Sequence, residues 1–147
     1  MKDKESSENQ NIHSASFMNQ LFVSKKYREL NQAALSNLEI NPNDFDNLNA
    51  LAVSYKLLGN IKKAEETLNL LLSLGCKNDY ILSNAGNFYY DTGRIDYAKK
   101  CHEEAIKSNP NKLNSINQLG LCFSNQGKDK EAIEFYKKSL SVNDKDV

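Results

Sequence analysis

Residues 79–112 have the sequence DYILSNAGNFYYDTGRIDYAKKCHEEAIKSNPNK, and this stretch decides the fold because its pattern returns at a fixed interval. Its Gly93 has counterparts 34 residues earlier and 34 residues later, at Gly59 and Gly127. The same step relates further sets: Ala64, Ala98 and Ala132; Leu51, Ala85 and Leu119; Tyr55, Tyr89 and Phe123; and Leu38, Leu72, Ile106 and Leu140. A period of this size indicates one structural unit copied along the chain.

Each of the last three copies contains two amphipathic helical patterns separated by the glycine. In the second copy, apolar residues recur from Leu48 to Tyr55 at the spacing typical of one helix face. Gly59 predicts the end of that helix, because glycine adopts the left-handed conformation without a Cβ clash. A second apolar face starts at Ile61, and in the third copy Pro110 closes the unit because proline cannot continue a helix.

The composition excludes several classes of protein. Among 147 residues, 19 are basic and 19 are acidic, so the formal net charge is zero and the basic excess typical of nucleic-acid binders is absent. No stretch has the length and apolarity of a membrane span, and the first ten residues are too polar for a secretory signal. The sequence therefore predicts a cytoplasmic protein.

The repeat frame predicts the domain organisation. Residues 1–10 are polar and predicted to be disordered, and 11–147 form one repeat domain. The predicted units are 11–44, 45–78, 79–112 and 113–146. The first unit is degenerate and is predicted to be a cap, since Lys25 stands where the others have glycine and its first helix is suggested only by Phe17, Met18 and Leu21.

The residues that commonly carry chemistry form no recognisable site. Cys76, Cys101 and Cys122 match neither the spacing of a metal site nor that of a redox pair, and they are interpreted as small buried hydrophobes. His102 occupies the register of Leu68 and Tyr136, which predicts a packed or half-buried ring. With no nucleophile–base pair or phosphate loop, the sequence predicts no enzyme, no cofactor and no metal.

A 34-residue helix–turn–helix unit with these small, aromatic and proline registers resembles the tetratricopeptide repeat. The most diagnostic stretch runs from Leu82 to Gly86 and continues through Tyr89 and Ala98 to Pro110. The resemblance implies an all-α fold, a right-handed superhelix of antiparallel helix pairs (an α-solenoid). It also implies a concave groove, lined by the first helix of each pair, that binds peptides or partner proteins. Two departures are the aliphatic residues at the early aromatic position, Leu48, Leu82 and Ile116, and the non-proline closures at Cys76 and Asp144.

The predicted groove consists of first-helix residues that the core does not use. They are Asn49, Val53, Lys56, Tyr80, Ser83, Asn84, Asn87, Tyr90, Asn114, Asn117, Gln118 and Leu121. Family members that bind chaperone tails clamp a terminal carboxylate with lysines and arginines. Here the basic candidates reduce to Lys56, so the sequence predicts no such clamp.

The carboxamides of this groove have two open interpretations. The run Ser83-Asn84-x-Gly86-Asn87 resembles the asparagine ladder in the tetratricopeptide region of glycosyltransferases that act on intracellular proteins. A carboxamide offers an acceptor and two donors, so a row of them can pair with an extended peptide backbone. The alternative is compositional bias, because asparagine is abundant throughout this chain.

The leading functional prediction is a non-catalytic protein–protein interaction module, an adaptor, co-chaperone or scaffold. One alternative is the N-terminal recognition region of a larger enzyme such as a glycosyltransferase, and a remote one is a helical-repeat RNA binder. A further predicted contact surface at the last helix comprises Ile133, Tyr136 and Leu140, through which the chain could self-associate. The outward helices carry i, i+4 charge pairs, of which Lys100–Glu104 is an example, interpreted as a solvated face.

Overall fold

A computed structural model describes residues 12–144, which form eight α-helices and no strand. The helices are α1 (Ala15–Val23), α2 (Tyr27–Ile40), α3 (Phe45–Leu57), α4 (Ile61–Ser73), α5 (Asp79–Asp91), α6 (Ile95–Ser108), α7 (Leu113–Asn125) and α8 (Asp129–Asp144). The predicted tail, residues 1–10, lies outside the described residues. Within 12–144 no helix combines the length and apolarity needed to cross a bilayer.

The chain divides into two compact units, the first ending at Cys76 and the second starting at Lys77. In the first unit α1 packs on α2, α2 on α3 and α3 on α4. In the second unit α5 packs on α6, α6 on α7 and α7 on α8, and α5 also contacts α7. The first helices of the last two repeats are therefore neighbours within one unit.

The turn inside each pair has the conformation that the sequence predicts. Gly59, Gly93 and Gly127 have φ values of +82°, +81° and +74°. The amide after each glycine donates to a carbonyl near the end of the preceding helix, as Arg94 N does to Tyr89 O at 2.7 Å. Lys25 holds the same register with φ at +58°, which is costly for a residue that has a Cβ.

The small residues of the repeat lie where two helices of a pair cross. Ala98 is fully buried, and Gly86 lies so close to the His102 ring that an added Cβ would collide with Nε2. Gly120 faces Tyr136 in the same way, with 2.6 Å between an added Cβ and Cε1. A small residue is required at these two positions, as the sequence predicts, because a ring of the second helix fills the space beside each glycine.

The regular spacing of aromatic residues places corresponding rings of the second unit against the second helix of their pair. The Tyr89 ring, late in α5, is fully buried and stacks on Tyr97, early in α6, with 5.3 Å between centroids. Because Gly86 and His102, further from the turn, are also close, this helix pair is antiparallel. Phe123 stacks on Phe135, also at 5.3 Å, and the ammonium of Lys99 lies 4.7 Å from the Phe123 ring centroid. The repeat therefore fixes the position of an aromatic ring and leaves its neighbours to vary.

The first helix of the degenerate unit forms, with Met18 and Leu21 buried in a core cluster that includes residues of α2 and α3. The segment before it is held by Asn37, which is fully buried in α2. The amide of His13 donates to Asn37 Oδ1 at 2.9 Å, and Asn37 Nδ2 donates to the His13 carbonyl at 3.0 Å. Asn37 Nδ2 also donates to Asn47 Oδ1 at 3.0 Å, so one carboxamide joins this segment to α3.

The exposed charges pair differently from the expected i, i+4 pattern. Glu104 accepts from Lys107 at 2.8 Å and lies 3.5 Å from Lys77, whereas Lys100 is not its partner. Hydrogen bonding to Lys107 is the main reason that the pKa of Glu104 lies below its ordinary value. The prediction of a Lys100–Glu104 pair is therefore wrong, because a lysine one turn later and another before α5 reach the carboxylate instead.

Candidate peptide-binding face

The predicted groove residues divide between the two units. Asn49, Val53 and Lys56 are half-buried on α3 in the first unit. The other nine lie on α5 and α7 in the second unit, and we call this set the amide face: Tyr80, Ser83, Asn84, Asn87, Tyr90, Asn114, Asn117, Gln118 and Leu121. Because α5 and α7 contact each other, the amide face is formed by two adjacent helices.

Residues of the amide face differ in how far they reach solvent. Tyr80 is the more exposed of its two tyrosines, with 61% of its surface accessible, and Leu121 is 39% exposed. Asn84, Asn87, Asn117 and Gln118 are half-buried. Ser83 is 3% exposed, so it lies beneath the surface that its neighbours form.

Buried polar atoms without a hydrogen-bond partner concentrate at the predicted groove. Within residues 12–144 these atoms are Asn49 Oδ1, Ser83 Oγ, Asn87 Oδ1, Gln118 Oε1 and His102 Nε2. Four of the five belong to residues predicted for the groove, and three of those four belong to the amide face. A buried acceptor that lacks a donor is costly, so each one requires a physical explanation.

Buried asparagine, serine and threonine side chains in the first unit have hydrogen-bond partners in side chains or in the backbone, apart from Asn49. Asn37 and Asn47 hydrogen bond at 3.0 Å, Ser54 donates to Leu51 O at 2.8 Å, and Thr67 donates to Lys63 O at 2.7 Å. Half-buried amides outside the predicted groove also pair, as Gln126 Nε2 does with Asp96 Oδ1 at 2.8 Å. Asparagine abundance alone does not account for this contrast, because these other amides have partners.

The charges next to the amide face are neutralised at one end. Lys112 Nζ lies 3.3 Å from Asp79 Oδ2, and Asn109 Nδ2 donates to the same oxygen at 3.3 Å. The hydrogen bond from Asn109, then the one from Lys112, holds the pKa of Asp79 below its ordinary value. The Lys112 ammonium also lies 5.6 Å from the Tyr80 ring centroid. Helix α7 itself contains no charged residue.

His102 lies behind the amide face and touches both of the helices that form it. Its ring packs on Gly86 of α5, and its Nδ1 is 3.0 Å from Ser115 Oγ of α7. The ring is fully buried, and this burial lowers its pKa to about 4, so the ring is neutral at pH 7. The sequence predicts that His102 is packed, but no sequence signal identified Ser115 as its partner.

The residues of the predicted end face are placed differently from one another. Ile133 is 52% exposed and Leu140 is 65% exposed. Tyr136 is half-buried, with its ring against Gly120. Self-association through this helix stays a prediction, and Ile133 and Leu140 are the residues that could support it.

The family assignment follows from comparison with known proteins. A family model described as tetratricopeptide repeat matches residues 45–74, 80–112 and 113–146. The chain belongs to the tetratricopeptide repeat family. The all-α fold of antiparallel helix pairs predicted from that resemblance is confirmed. The comparisons do not support the further resemblance to glycosyltransferases, and the larger-enzyme alternative is not favoured.

Similar proteins support this repeat assignment. The type IV pilus assembly protein PilF of Pseudomonas aeruginosa is 32% identical over 108 residues, which cover 72% of this chain and 43% of PilF. The solved PilF structure superposes with a TM-score of 0.78 at 26% identity, over 87% of this chain and 59% of that one. The chain thus spans about two fifths of the length of PilF.

Two further tetratricopeptide repeat structures show the same fold. The crystal structure of MamA superposes with a TM-score of 0.81 at 16% identity, covering 89% of this chain and 77% of MamA. YrrB, described as a TPR protein with an unusual peptide-binding site, has a TM-score of 0.76 at 18% identity, covering 94% of this chain and 73% of YrrB.

Proposed function

We propose that this chain is a non-catalytic interaction module whose amide face binds an extended segment of a partner protein. One observation carries the proposal: the buried polar atoms without partners are concentrated at the residues predicted for the groove. A bound segment offers donors and acceptors from its main chain and its side chains, so binding it would supply the missing hydrogen bonds. The adaptor, co-chaperone and scaffold roles, and the cytoplasmic location, stay predictions.

The chain itself contains an example of the proposed chemistry. The Asn37 carboxamide engages both the N–H and the C=O of His13, at 2.9 and 3.0 Å. This pairing uses main-chain groups only and is therefore independent of the side chain of the residue that it binds. The carboxamides of α5 and α7 are capable of the same pairing with a backbone from another protein.

The reactive side chains of the second unit are poorly suited to catalysis. Burial raises the pKa of the Cys101 thiol to about 12 and that of Cys122 to about 11, so neither is a thiolate at neutral pH. His102 is buried with a lowered pKa and is not available for proton transfer with a substrate. These environments support a binding role for the unit.

A pull-down from extracts of the native host tests the proposal. The wild type is compared with an Asn84→Leu, Asn87→Leu double variant and with a matched control, Asn19→Leu with Gln32→Leu, whose amides are exposed on α1 and α2. We expect partners captured by the wild type and the control to be lost with the amide-face variant. Hydrogen exchange of the wild-type complex is expected to show protection of α5 and α7. Capture that persists with the amide-face variant would mean that binding occurs elsewhere.

A further inference from the structure

The unpaired atoms of the amide face are oxygens on two helices that contact each other. Ser83 and Asn87 lie one turn apart on α5, so their side chains are on the same stripe. Gln118 lies on α7, which contacts α5. The buried atoms are a hydroxyl and two amide carbonyl oxygens, and a carbonyl oxygen can only accept hydrogen bonds. The complementary group must therefore supply hydrogen-bond donors.

The helix on which Ser83 and Asn87 lie also favours a cationic group. Helix α5 contains no lysine or arginine. Asn87 lies near the C-terminal end of α5, where the helix dipole presents partial negative charge. Lys112, the cation that precedes α7, is already paired with Asp79 at 3.3 Å. The nine residues of the amide face include no lysine or arginine, so nothing in the face itself would repel a cation.

The tyrosine rings of the amide face also favour a cationic group. Tyr80 is exposed and Tyr90 half-buried on the same helix stripe as Asn87. The face of a tyrosine ring attracts a cation, and the Lys112 ammonium lies 5.6 Å from the Tyr80 centroid. Carbonyl oxygens with tyrosine rings match the ammonium of lysine and, better, the planar guanidinium of arginine.

We infer that the partner segment inserts a lysine or arginine side chain into the acceptor cluster of Ser83, Asn87 and Gln118. The inference rests on the proposed function, because it names the side chain that the amide face selects. Main-chain pairing to the other amides is independent of sequence, whereas this cluster selects a basic residue at one position of the bound segment. The guanidinium, with five donors and no acceptor, satisfies the cluster most fully.

A library of capped ten-residue peptides on beads tests which side chain is selected. The wild-type protein is expected to enrich lysine and arginine at one position of the bound peptides and to deplete aspartate and glutamate there. The best arginine peptide is then labelled, and its affinity is measured beside the same peptide with citrulline in place of arginine. Citrulline keeps the shape of the side chain and removes its charge, so we expect binding about tenfold weaker.

Variants locate the effect in the chain. Asn87→Leu is expected to lose the preference for arginine over citrulline. Leucine is a suitable replacement because Leu121 occupies the same register of α7. Ser83→Ala and Gln118→Leu are expected to weaken it, and the exposed Gln32→Leu on α2 to leave it unchanged. Asn87→Leu removes a buried oxygen that has no partner, so its melting temperature is expected to be equal or higher, which separates lost binding from lost folding.

The outcomes distinguish the two proposals. If the wild type selects no peptide above background, peptide binding by this face is wrong and the inference fails with it. If peptides are selected without basic enrichment, or if citrulline binds as well as arginine, the inference is overturned and the proposed function stands. The inference is likewise overturned if Asn87→Leu retains the full preference for arginine.

Discussion

The two helix crossings of the second unit share a register and fill it differently. In α5–α6 the His102 ring packs on Gly86, is fully buried and hydrogen bonds Ser115. In α7–α8 the Tyr136 ring packs on Gly120 and is only half-buried. In both crossings of this unit a ring faces a glycine, and the burial of the ring determines whether it can move. We therefore expect the α5–α6 crossing to be rigid and the α7–α8 crossing to tolerate added volume at its glycine.

The largest difference is expected on adding a methyl group at each glycine. Gly86→Ala places a Cβ against a ring that is fully buried, and we expect the free energy of unfolding to fall by about 2 kcal/mol. In Gly120→Ala the half-buried Tyr136 can turn outward and alanine favours the helix, so we expect a change below about 1 kcal/mol. Urea unfolding of both variants measures this contrast, and equal losses would show that the crossings are alike.

A change of pH should distinguish the crossings next. Burial lowers the pKa of folded His102 to about 4 from 6.5, so the unfolded chain takes up a proton first as the pH falls. Stability is fully present above pH 6.5 and is lost progressively towards pH 4, by about 2 kcal/mol between pH 7.5 and pH 5. The His102→Leu variant, which carries the residue found at Leu68, is expected to lack this part of the pH dependence. Identical profiles for the two proteins would contradict the assignment.

Removing the hydrogen-bond partner of His102 should have a smaller effect. Ser115→Ala leaves both ring nitrogens of a buried histidine without a partner, and we expect a loss of about 1 kcal/mol at about pH 7.5. Ser124→Ala, at an exposed position of the same helix, is the matched control and should be within about 0.5 kcal/mol of the wild type. If thermal melting shows the same small change for both, the Ser115 contact is not stabilising.

The smallest effect is expected at the turn register, where one repeat again departs from the others. Lys25 has φ at +58° where the other repeats use glycine, so Lys25→Gly should raise the free energy of unfolding by about 0.5 kcal/mol, the relief of strain less the entropy that glycine loses on folding. Lys26→Gly is the control, since Lys26 has φ at −86° and glycine brings no relief there. A lower melting temperature for Lys25→Gly would mean that the lysine side chain contributes more than the backbone strain costs.

The repeat spacing predicted the backbone well because steric requirements recur with it. The turns at Gly59, Gly93 and Gly127, the burial of Ala98 and the packing of His102 all follow from the size of the residue at a fixed position. These are local or nearest-neighbour properties, and they depend little on side-chain torsion angles. For the same reason the family could be identified from the sequence alone.

Side-chain partners could not be predicted in the same way. Glu104 pairs with Lys77 and Lys107 instead of Lys100, since long side chains choose among several nearby charges. Spacing marked Ser83 and Asn87 among the groove residues, but it did not reveal which of their atoms would be buried without a partner. That property depends on the three-dimensional arrangement of both helices. The sequence alone therefore could not decide whether the groove carboxamides reflect compositional bias or a functional face.

The hydrogen bonds between Asn37 and the backbone of His13 limit where the repeat domain can be shortened. Deleting residues through His13 would remove a donor and an acceptor at 2.9 and 3.0 Å from a carboxamide that has no access to water. The same carboxamide donates to Asn47 of α3, so a truncation before α1 would also disturb a hydrogen bond to the next repeat. A truncation boundary drawn at the first helical residue, Ala15, would therefore fall inside the cooperative structure.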